Sequence, residues 1–271
     1  MTTTALTVHK VRHTLKSRLL HVSRVAQLTP SMRRITLTGP DLEGFVSPSF
    51  DDHVKIFLPT SPGAKPAMPT ISANGLAFPE DAPRPVSRDY TPRRYDPASQ
   101  ELDIDFVLNH QGPATDWAAA AKPGDYLGIG GPRGSFLIPK EYDWHLLIGD
   151  ETALPAIGRR LAELPEGKHT IVVLKTRTPE GRMHFETRCR LTIQWVVDKA
   201  SSRQDGIDPL EQAVRDVKLP QGDGFVWAAG EYTDIQRIRV YLVDEHGLDK
   251  SRIRAASYWR KAAAATHVNF D

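Results

Sequence analysis

The distribution of proline divides this chain into two halves that must fold differently. Sixteen of its 21 prolines lie at or before Pro139, and only five follow it in a chain of 271 residues. Proline lacks the amide hydrogen that helix interiors and central strands require, so the first half is restricted to short segments separated by turns. That punctuation is typical of a β-rich domain. The length allows two ordinary domains, and we expect them over residues 1–140 and 141–271.

The second half alternates strand-like and helix-like runs. We predict strands over residues 145–148, 170–175, 191–197 and 225–228, and helices over residues 153–164, 209–217 and 233–246. This alternation predicts a parallel sheet covered by helices, with ligands at the carboxyl ends of its strands.

Three segments of the first half have a distinct pattern. Residues 101–108 alternate apolar and polar side chains, which predicts a half-buried strand. The Ala-rich residues 112–121 predict one short helix. The Pro-rich residues 61–85 predict a loop or flap, because strand-like runs resume on both sides.

The charge is balanced overall but uneven along the chain. Lys and Arg number 35 against 33 Asp and Glu, and seven of the cations precede the first acid, Asp41. Such a start is compatible with a transit peptide, a nucleic-acid-binding arm or the edge of a folded domain. Apolar residues between Leu19 and Leu37 favour the folded edge. Because the remaining chain carries a net charge of −5, we expect no nucleic-acid partner.

Several classes of site are excluded by what the sequence lacks. Its one cysteine, Cys189, excludes an internal disulfide, a Cys-rich zinc site and a Cys-ligated iron–sulfur cluster, so electron transfer would need an organic cofactor. The histidines lack metal-ligand spacing, and we expect no protein-held metal. No apolar run approaches the roughly 18 residues that a membrane helix needs, so we expect no membrane insertion. A reducing, cytoplasmic setting fits this composition.

The familiar hydrolase, P-loop and zinc-protease motifs are also missing. The run Gly128-Ile129-Gly130-Gly131-Pro132-Arg133-Gly134 comes closest to a dinucleotide-binding motif. It has Arg133 where the fingerprint needs glycine, and a strand-like run follows where it needs a helix. We therefore reject a Rossmann fingerprint here.

The segment Arg88-Asp89-Tyr90-Thr91 combines a cation, an aromatic face and a hydroxyl. In an extended segment Arg88 and Tyr90 lie on the same side. The guanidinium could bind a phosphate while the phenol packs on a planar ring. Alone, this tetrapeptide is a weak indication.

The motifs that follow strengthen it. A strand-like run from Asp105 leads into a helix start where Gly112 and Ala114 would let a pyrophosphate approach the amides. An ordinary capped helix with Trp117 as a core anchor is the alternative. Further along come Pro123-Gly124-Asp125, Gly131-Pro132-Arg133-Gly134-Ser135, and Gly149-Asp150-Glu151-Thr152 at the first strand-to-helix turn of the second half.

This order of motifs resembles that of the siderophore-interacting proteins, ferric-siderophore reductases of the ferredoxin-reductase-like flavoprotein superfamily. The resemblance runs from residues 50–55 to Tyr258-Trp259, nearly the whole chain. It implies an N-terminal six-stranded antiparallel FAD-binding β-barrel and a C-terminal α/β domain with a parallel sheet for NADPH. The FAD-binding residues that it implies are Arg88, Asp89, Tyr90, Thr91, Asp105, Val107, His110, Gly112, Ala114 and Thr115.

For the nicotinamide nucleotide, the resemblance and the strand-end rule lead to a second set of residues. These are Asp150, Glu151, Thr152, Gly230 and Glu231 for ribose and diphosphate, and Arg177 with Lys175 for the 2′-phosphate of NADPH. Solvated surface charges are the alternative for both cations, and NADH or ferredoxin is the alternative electron donor.

For the substrate, the resemblance implies that Lys55, Arg133 and Arg254 attract an anionic ferric siderophore. Unrelated surface charges are the alternative. The inferred chemistry is electronic, from hydride to flavin to Fe(III), so no side chain is expected to be catalytic. Tyr258-Trp259 either shields one flavin face or packs in the core. The competing functions are a general flavin or ferredoxin reductase and a non-enzymatic siderophore-binding protein. We expect a monomer.

Overall fold

The computed structural model describes residues 6–72, 75–79, 83–198, 207–261 and 268–270. The chain forms two compact units. The N-terminal unit is Val8–Ile138, and the C-terminal unit is Pro139–Asp271 together with Met1–Thr7. In the described ranges, no helix combines the length and apolar character needed to cross a membrane.

The N-terminal unit is built from antiparallel strands and the helix α1. The elements are β1 His9–Arg12, β2 Ser17–Thr29, β3 Met32–Thr38, β4 Val54–Phe57, β5 Thr70–Ser72, β6 Gly75–Ala77, β7 Ser87–Tyr90, β8 Pro92–Asp96, β9 Glu101–Val107, α1 Pro113–Ala120, β10 Tyr126–Gly130 and β11 Gly134–Leu137. Seven strands form one sheet in the order β7-β4-β10-β2-β3-β9-β8, and β1 pairs with β11 in a separate sheet.

The seven-stranded sheet closes on itself. Strands β7 and β8 are its two edges, yet Thr91 alone separates them along the chain. Because neighbouring Cα atoms are about 3.8 Å apart, the two edges must lie together and the sheet must curl into a barrel. Pro92 cannot donate to the strand ladder and marks the break. With β7 and β8 as one bent strand, the barrel has six strands, which confirms the predicted architecture.

Strand β9 confirms the predicted strand, but the prediction that it is half-buried is wrong. Asp103 and Asp105, on the polar face, are each 3% exposed. Arg34 donates to the two Asp105 carboxylate oxygens from Nε and Nη2 at 2.7 and 2.8 Å, and Arg94 Nε donates to Asp103 at 2.9 Å. Guanidinium groups from neighbouring strands therefore cover this face, and the alternating pattern of β9 alone gives no sign of them.

Two other predictions for this unit can be compared with the structure. The helix predicted over residues 112–121 is confirmed as α1, with Gly112 as its N-cap and Pro113 at the first helical position. The segment predicted as a loop or flap over residues 61–85 contains the short hairpin of β5 and β6, as a flap would.

The described residues of the C-terminal unit form one six-stranded sheet and three α-helices. The elements are β12 Trp144–Asp150, α2 Leu154–Glu163, β13 His169–Thr176, β14 Arg190–Val197, α3 Pro209–Arg215, β15 Gly224–Glu231, α4 Tyr232–Val240, β16 Ile253–Trp259 and β17 Val268–Phe270. The strand order is β14-β13-β12-β15-β16-β17. The first five strands are parallel, as predicted, and β17 runs antiparallel to β16.

The order of these strands determines where polar groups gather. The chain proceeds from β12 outward through β13 to β14, then returns to the other side of β12 with β15 and β16. The carboxyl ends of β13, β12 and β15 therefore lie side by side at the reversal, where open α/β sheets bind ligands. Sequence reasoning missed β16 and β17, which extend this side of the sheet.

Candidate functional site

Arg88 lies on β7 beside β4, opposite Ile56, and Tyr90 lies opposite Val54. The Arg88 guanidinium is half-buried, and its Nη1 donates to the Ser87 carbonyl at 2.8 Å. Within the described part of the chain no carboxylate forms an ion pair with Arg88. A positioned guanidinium without a countercharge has the chemistry of a phosphate-binding group.

Tyr90 links this cation to the barrel core. Its ring centroid is 4.4 Å from that of Phe106, which lies 5.6 Å from Trp117 on α1. Burial raises the pKa of the Tyr90 phenol above its usual value, and the nearby charge of Arg88 opposes that shift. The hydroxyl therefore stays protonated and can donate a hydrogen bond. The following Thr91 is buried at the barrel junction.

The start of α1 offers open space and backbone donors. Gly112 has φ of +153°, and a Cβ placed on it would meet nothing within 4 Å. Pro113 has no amide hydrogen, while the amides of Ala114 and Thr115 lack acceptors inside the helix. The Thr115 hydroxyl donates to the Val107 carbonyl at 3.5 Å. This arrangement fits an anion close to the backbone.

Three other predicted FAD residues are placed differently. The Asp105 carboxylate is held by Arg34, so its side-chain oxygens are already used. Asp89 is exposed, and its carboxylate accepts a hydrogen bond from the Lys55 ammonium at 2.7 Å. His110 is half-buried between β9 and α1. The side chains of Asp89 and Asp105 are thus occupied by protein cations.

Two of the three predicted substrate cations belong to the N-terminal unit. Lys55 on β4 lies opposite Gly130 at the end of β10, and the exposed Arg133 follows three residues later. The third, Arg254, is half-buried on β16 opposite Trp227 in the C-terminal unit.

Asp150, at the carboxyl end of β12, accepts four hydrogen bonds. Oδ1 accepts from the Thr152 amide and hydroxyl at 2.8 and 2.5 Å. Oδ2 accepts from the Glu231 amide at 3.0 Å and from Trp259 Nε1 at 2.8 Å. A Cβ on Gly230 would lie 2.7 Å from Oδ2, so this approach requires glycine. Asp150 therefore ties together the ends of β12, β15 and β16.

The side chains of Glu231 and Lys175 also contact other protein groups. Glu231 caps α4, its Oε2 accepting from the amides of Thr233 and Asp234 at 2.7 and 3.2 Å. The Lys175 ammonium lies 2.9 Å from Asp208 and 2.5 Å from Asp234. Burial acts to lower the pKa of Lys175, but the carboxylates, Asp234 first, hold it above its usual value. This buried ion triad leaves Lys175 no role in pairing with a 2′-phosphate.

Two other predicted nucleotide residues lie after the ends of β12 and β13. Glu151 is buried in the turn after β12, and Arg177 is exposed just beyond β13. A cavity of about 380 Å³ opens nearby. Its lining consists of Asp208, Glu231, Thr233, Asp234, Arg237, Arg260 and Lys261. Three cations thus face three carboxylates here, and two of these carboxylates are paired with Lys175, so the cations can attract a phosphate.

Sequence reasoning missed the hydrogen bond between Trp259 and Asp150 and the cation Arg237 in this region. Trp259 donates to Asp150, and Tyr258 packs edge-to-face on the buried Trp227 at 6.2 Å between centroids. Both aromatic side chains thus have contacts within the C-terminal unit. Arg260 and Lys261, which directly follow Trp259, line the cavity together with Arg237. Among the described residues, no group of three or more metal-ligating side chains could hold an ion.

Comparison with known proteins agrees over both units. The model of the siderophore-interacting FAD-binding domain matches residues 21–136, and that of the siderophore-interacting protein matches residues 142–262. The chain is 35% identical over 257 residues to the NADPH-dependent ferric-chelate reductase of Escherichia coli K12, covering 92% of this chain and 95% of that relative.

Two further comparisons extend this result. Ferric vibriobactin reductase ViuB of Vibrio cholerae is 32% identical over 247 residues, covering 90% of this chain and 89% of the relative. The crystal structure of a siderophore utilization protein from T. fusca is 35% identical with a TM-score of 0.86, covering 96% of this chain and 98% of that one. The predicted ferredoxin-reductase-like fold and its FAD-binding domain are confirmed. The chain belongs to the siderophore-interacting protein family.

Proposed function

We propose that this chain is an FAD-containing, NADPH-dependent ferric-siderophore reductase. The observation that carries the proposal is that one barrel contains both Arg88 and the open helix start at Gly112. Arg88 has no carboxylate partner among the described residues. Relatives named ferric-chelate and ferric vibriobactin reductases support the substrate class.

The residues present fit FAD. Arg88 would bind its phosphates, and the amides of Ala114 and Thr115 would bind the pyrophosphate. Tyr90 and Thr91 would contact the ring system and the ribityl chain through an aromatic face and hydroxyl groups. Asp105, Val107 and His110 would contribute chiefly through their backbone. When bound, FAD supplies the conversion of a two-electron hydride transfer into one-electron transfers.

For NADPH, we propose the carboxyl edge of the C-terminal sheet. The cations Arg237, Arg260 and Lys261 would attract phosphate groups, and Arg177 would pair with the 2′-phosphate that distinguishes NADPH from NADH. Asp150, Thr152, Gly230 and Glu231 would hold the strand ends in the shape that admits the nucleotide. Reduced ferredoxin is the competing donor.

Lys55, Arg133 and Arg254 would attract the anionic ferric chelate. Asp89 offsets part of the Lys55 charge, so we expect Arg133 to contribute more in the N-terminal unit. No side chain needs to donate or accept a proton in this reaction. Each NADPH reduces two ferric ions, and the oxyanion ligands release the metal because they hold Fe(II) less tightly than Fe(III).

We further propose that the protein acts as a monomer in the cytoplasm. Its single, free Cys189 is compatible with that reducing compartment.

A steady-state comparison of donors and acceptors tests the proposed function. NADPH, NADH and reduced ferredoxin are supplied in turn against several ferric siderophores and quinones, and Fe(II) is trapped with a ferrous chelator. We expect NADPH with an anionic ferric siderophore to give the highest kcat/KM, and Arg133→Ala to lower it about fivefold without loss of FAD. A preference for quinones or ferredoxin favours a general reductase. Siderophore binding without Fe(II) formation favours a binding protein.

A further inference from the structure

Residues His9 to His13, near the start of the chain, lie along the Gly131-Pro132-Arg133-Gly134 loop. Strand β1 pairs with β11, with Arg12 opposite Gly134 and Lys10 opposite Phe136. The pairing continues beyond the strand, since the His13 amide donates to the Arg133 carbonyl at 3.0 Å. Two regions more than a hundred residues apart are thereby joined at Arg133.

Close packing shows that this junction is built into the fold. A Cβ on Gly134 would lie 2.6 Å from the Val11 carbonyl oxygen, so glycine at this position makes room for β1. His13 Nε2 and the Ser135 hydroxyl are 2.7 Å apart. On the other side of the loop, the buried Arg18 guanidinium donates from Nη1 to the Gly131 carbonyl at 3.2 Å.

The side chains that β1 presents are positively charged. All four residues from His9 to Arg12 are exposed. Lys10 and Arg12 are two positions apart and so share a face of the strand, and the Lys10 ammonium lies 4.9 Å from the Phe136 ring centroid. Neither Lys10, Arg12 nor Arg133 has a carboxylate partner in the portion of the chain described by the structure.

The register of β1 and β11 places the backbone of Arg12 close to that of Arg133. Opposite residues of an antiparallel pair have Cα atoms about 5 Å apart, so the Cα atoms of Arg12 and Arg133 lie about 6 Å apart. The Debye length at physiological ionic strength is about 8 Å. Because the two Cα atoms are closer together than this length, a ligand beside them can be attracted by both arginines, and the attraction grows with the charge of that ligand.

We propose that Lys10 and Arg12 on β1 extend the substrate-recognition surface of Arg133 and select multiply anionic ferric chelates over uncharged ones. This inference rests on the proposed function. It gives the acid-free, basic start of the chain a specific role, because β1 adds charge beside the loop without supplying iron ligands. Its effect is on capture of the chelate rather than on electron transfer.

The experiment compares holoenzyme variants with two chelates of different charge. The double variant Lys10→Ala/Arg12→Ala is assayed with a trianionic ferric tris-catecholate and an uncharged ferric tris-hydroxamate, at low and physiological ionic strength. We expect kcat/KM for the catecholate to fall about fivefold at low ionic strength and less at higher salt. The hydroxamate value, kcat and FAD content should not change. Charge reversal to Glu at both positions should deepen the catecholate loss.

Lys122→Ala is the matched control. Lys122 is an exposed cation of the same unit that precedes β10 at Tyr126, the end opposite to Gly130, and its loss should change neither chelate. Equal losses for both chelates, or an unchanged catecholate value while Arg133→Ala lowers it, would overturn this inference and leave the proposed function intact. Absence of Fe(II) formation by the wild-type enzyme with every chelate would overturn both.

Discussion

Two predicted binding regions, one around Arg88 and Gly112 in the N-terminal unit and one at the strand ends of the C-terminal unit, use their residues in opposite ways. In the N-terminal unit, Arg88 and Arg133 have no carboxylate partner among the described residues, and Gly112 faces open space. In the C-terminal unit, the carboxylate oxygens of Asp150 and Glu231 accept hydrogen bonds from protein donors. Buried polar groups must be hydrogen-bonded, whereas partly exposed cations need not be. A polar residue at the end of a buried strand is therefore at least as suited to holding strands together as to holding a ligand.

The largest effect that tests this contrast is expected at Asp150. Asp150→Ala leaves the amides of Thr152 and Glu231 and the Trp259 indole without their acceptor. We expect the free energy of unfolding to fall by about 3 kcal/mol, measured by urea denaturation. FAD content should stay normal. Trp259→Phe, which removes a single donor, should cost about 1 kcal/mol. If Asp150→Ala abolished NADPH use with unchanged stability, Asp150 would be a direct cofactor ligand.

The second test addresses the opposite behaviour of Arg88. Arg88→Ala removes a charge-assisted contact to phosphate, so we expect FAD to bind about thirtyfold more weakly, a change of about 2 kcal/mol. Fluorescence titration of the apoprotein measures it, and stability without FAD should not change. Arg24→Ala, which removes an exposed arginine of β2 paired with Glu101, serves as the control. Normal FAD affinity in Arg88→Ala would show that the barrel cation is structural too.

The smallest effect is a pH dependence within the C-terminal unit. Burial, and then the positive charge of Arg160, lowers the pKa of His145 on β12 to about 3. Between that value and about 6.5 the unfolded chain binds a proton that the folded chain does not, so stability decreases as the pH falls. We expect a loss of about 1 kcal/mol from pH 7 to about pH 5.5.

His145→Gln should remove that part of the pH slope, as measured by urea denaturation at each pH. The same substitution at the exposed His9 is the control and should leave the slope as in the wild type. An unchanged slope in His145→Gln would mean that another group titrates on unfolding.

Local patterns in the sequence predicted most of the architecture. Proline and glycine punctuation predicted a β-rich first half, and the alternation after Pro139 predicted the parallel sheet. That the first half is a barrel was implied by the family resemblance. The strand from Ser87 to Tyr90 and the helix after Gly112 were both expected from a few neighbouring residues. These features depend on backbone conformation, which short segments largely determine.

Partnerships between distant residues could not be predicted in this way. Asp150 and Trp259 are 109 residues apart, and His13 and Ser135 are 122 apart. Nothing in the spacing around Asp105 indicates that Arg34 will cover it. Such contacts are set by how strands are ordered in the sheet, so a sequence can indicate a polar residue at a strand end without indicating whether protein or ligand will use it.

The half-reactions of the purified holoenzyme test the central claim most directly. Under anaerobic conditions, NADPH should bleach the flavin absorbance, and an anionic ferric siderophore should restore it while about two Fe(II) ions are trapped per NADPH. A colourless protein that takes up no added FAD would contradict the account. So would a bleached flavin that ferric siderophores fail to reoxidise.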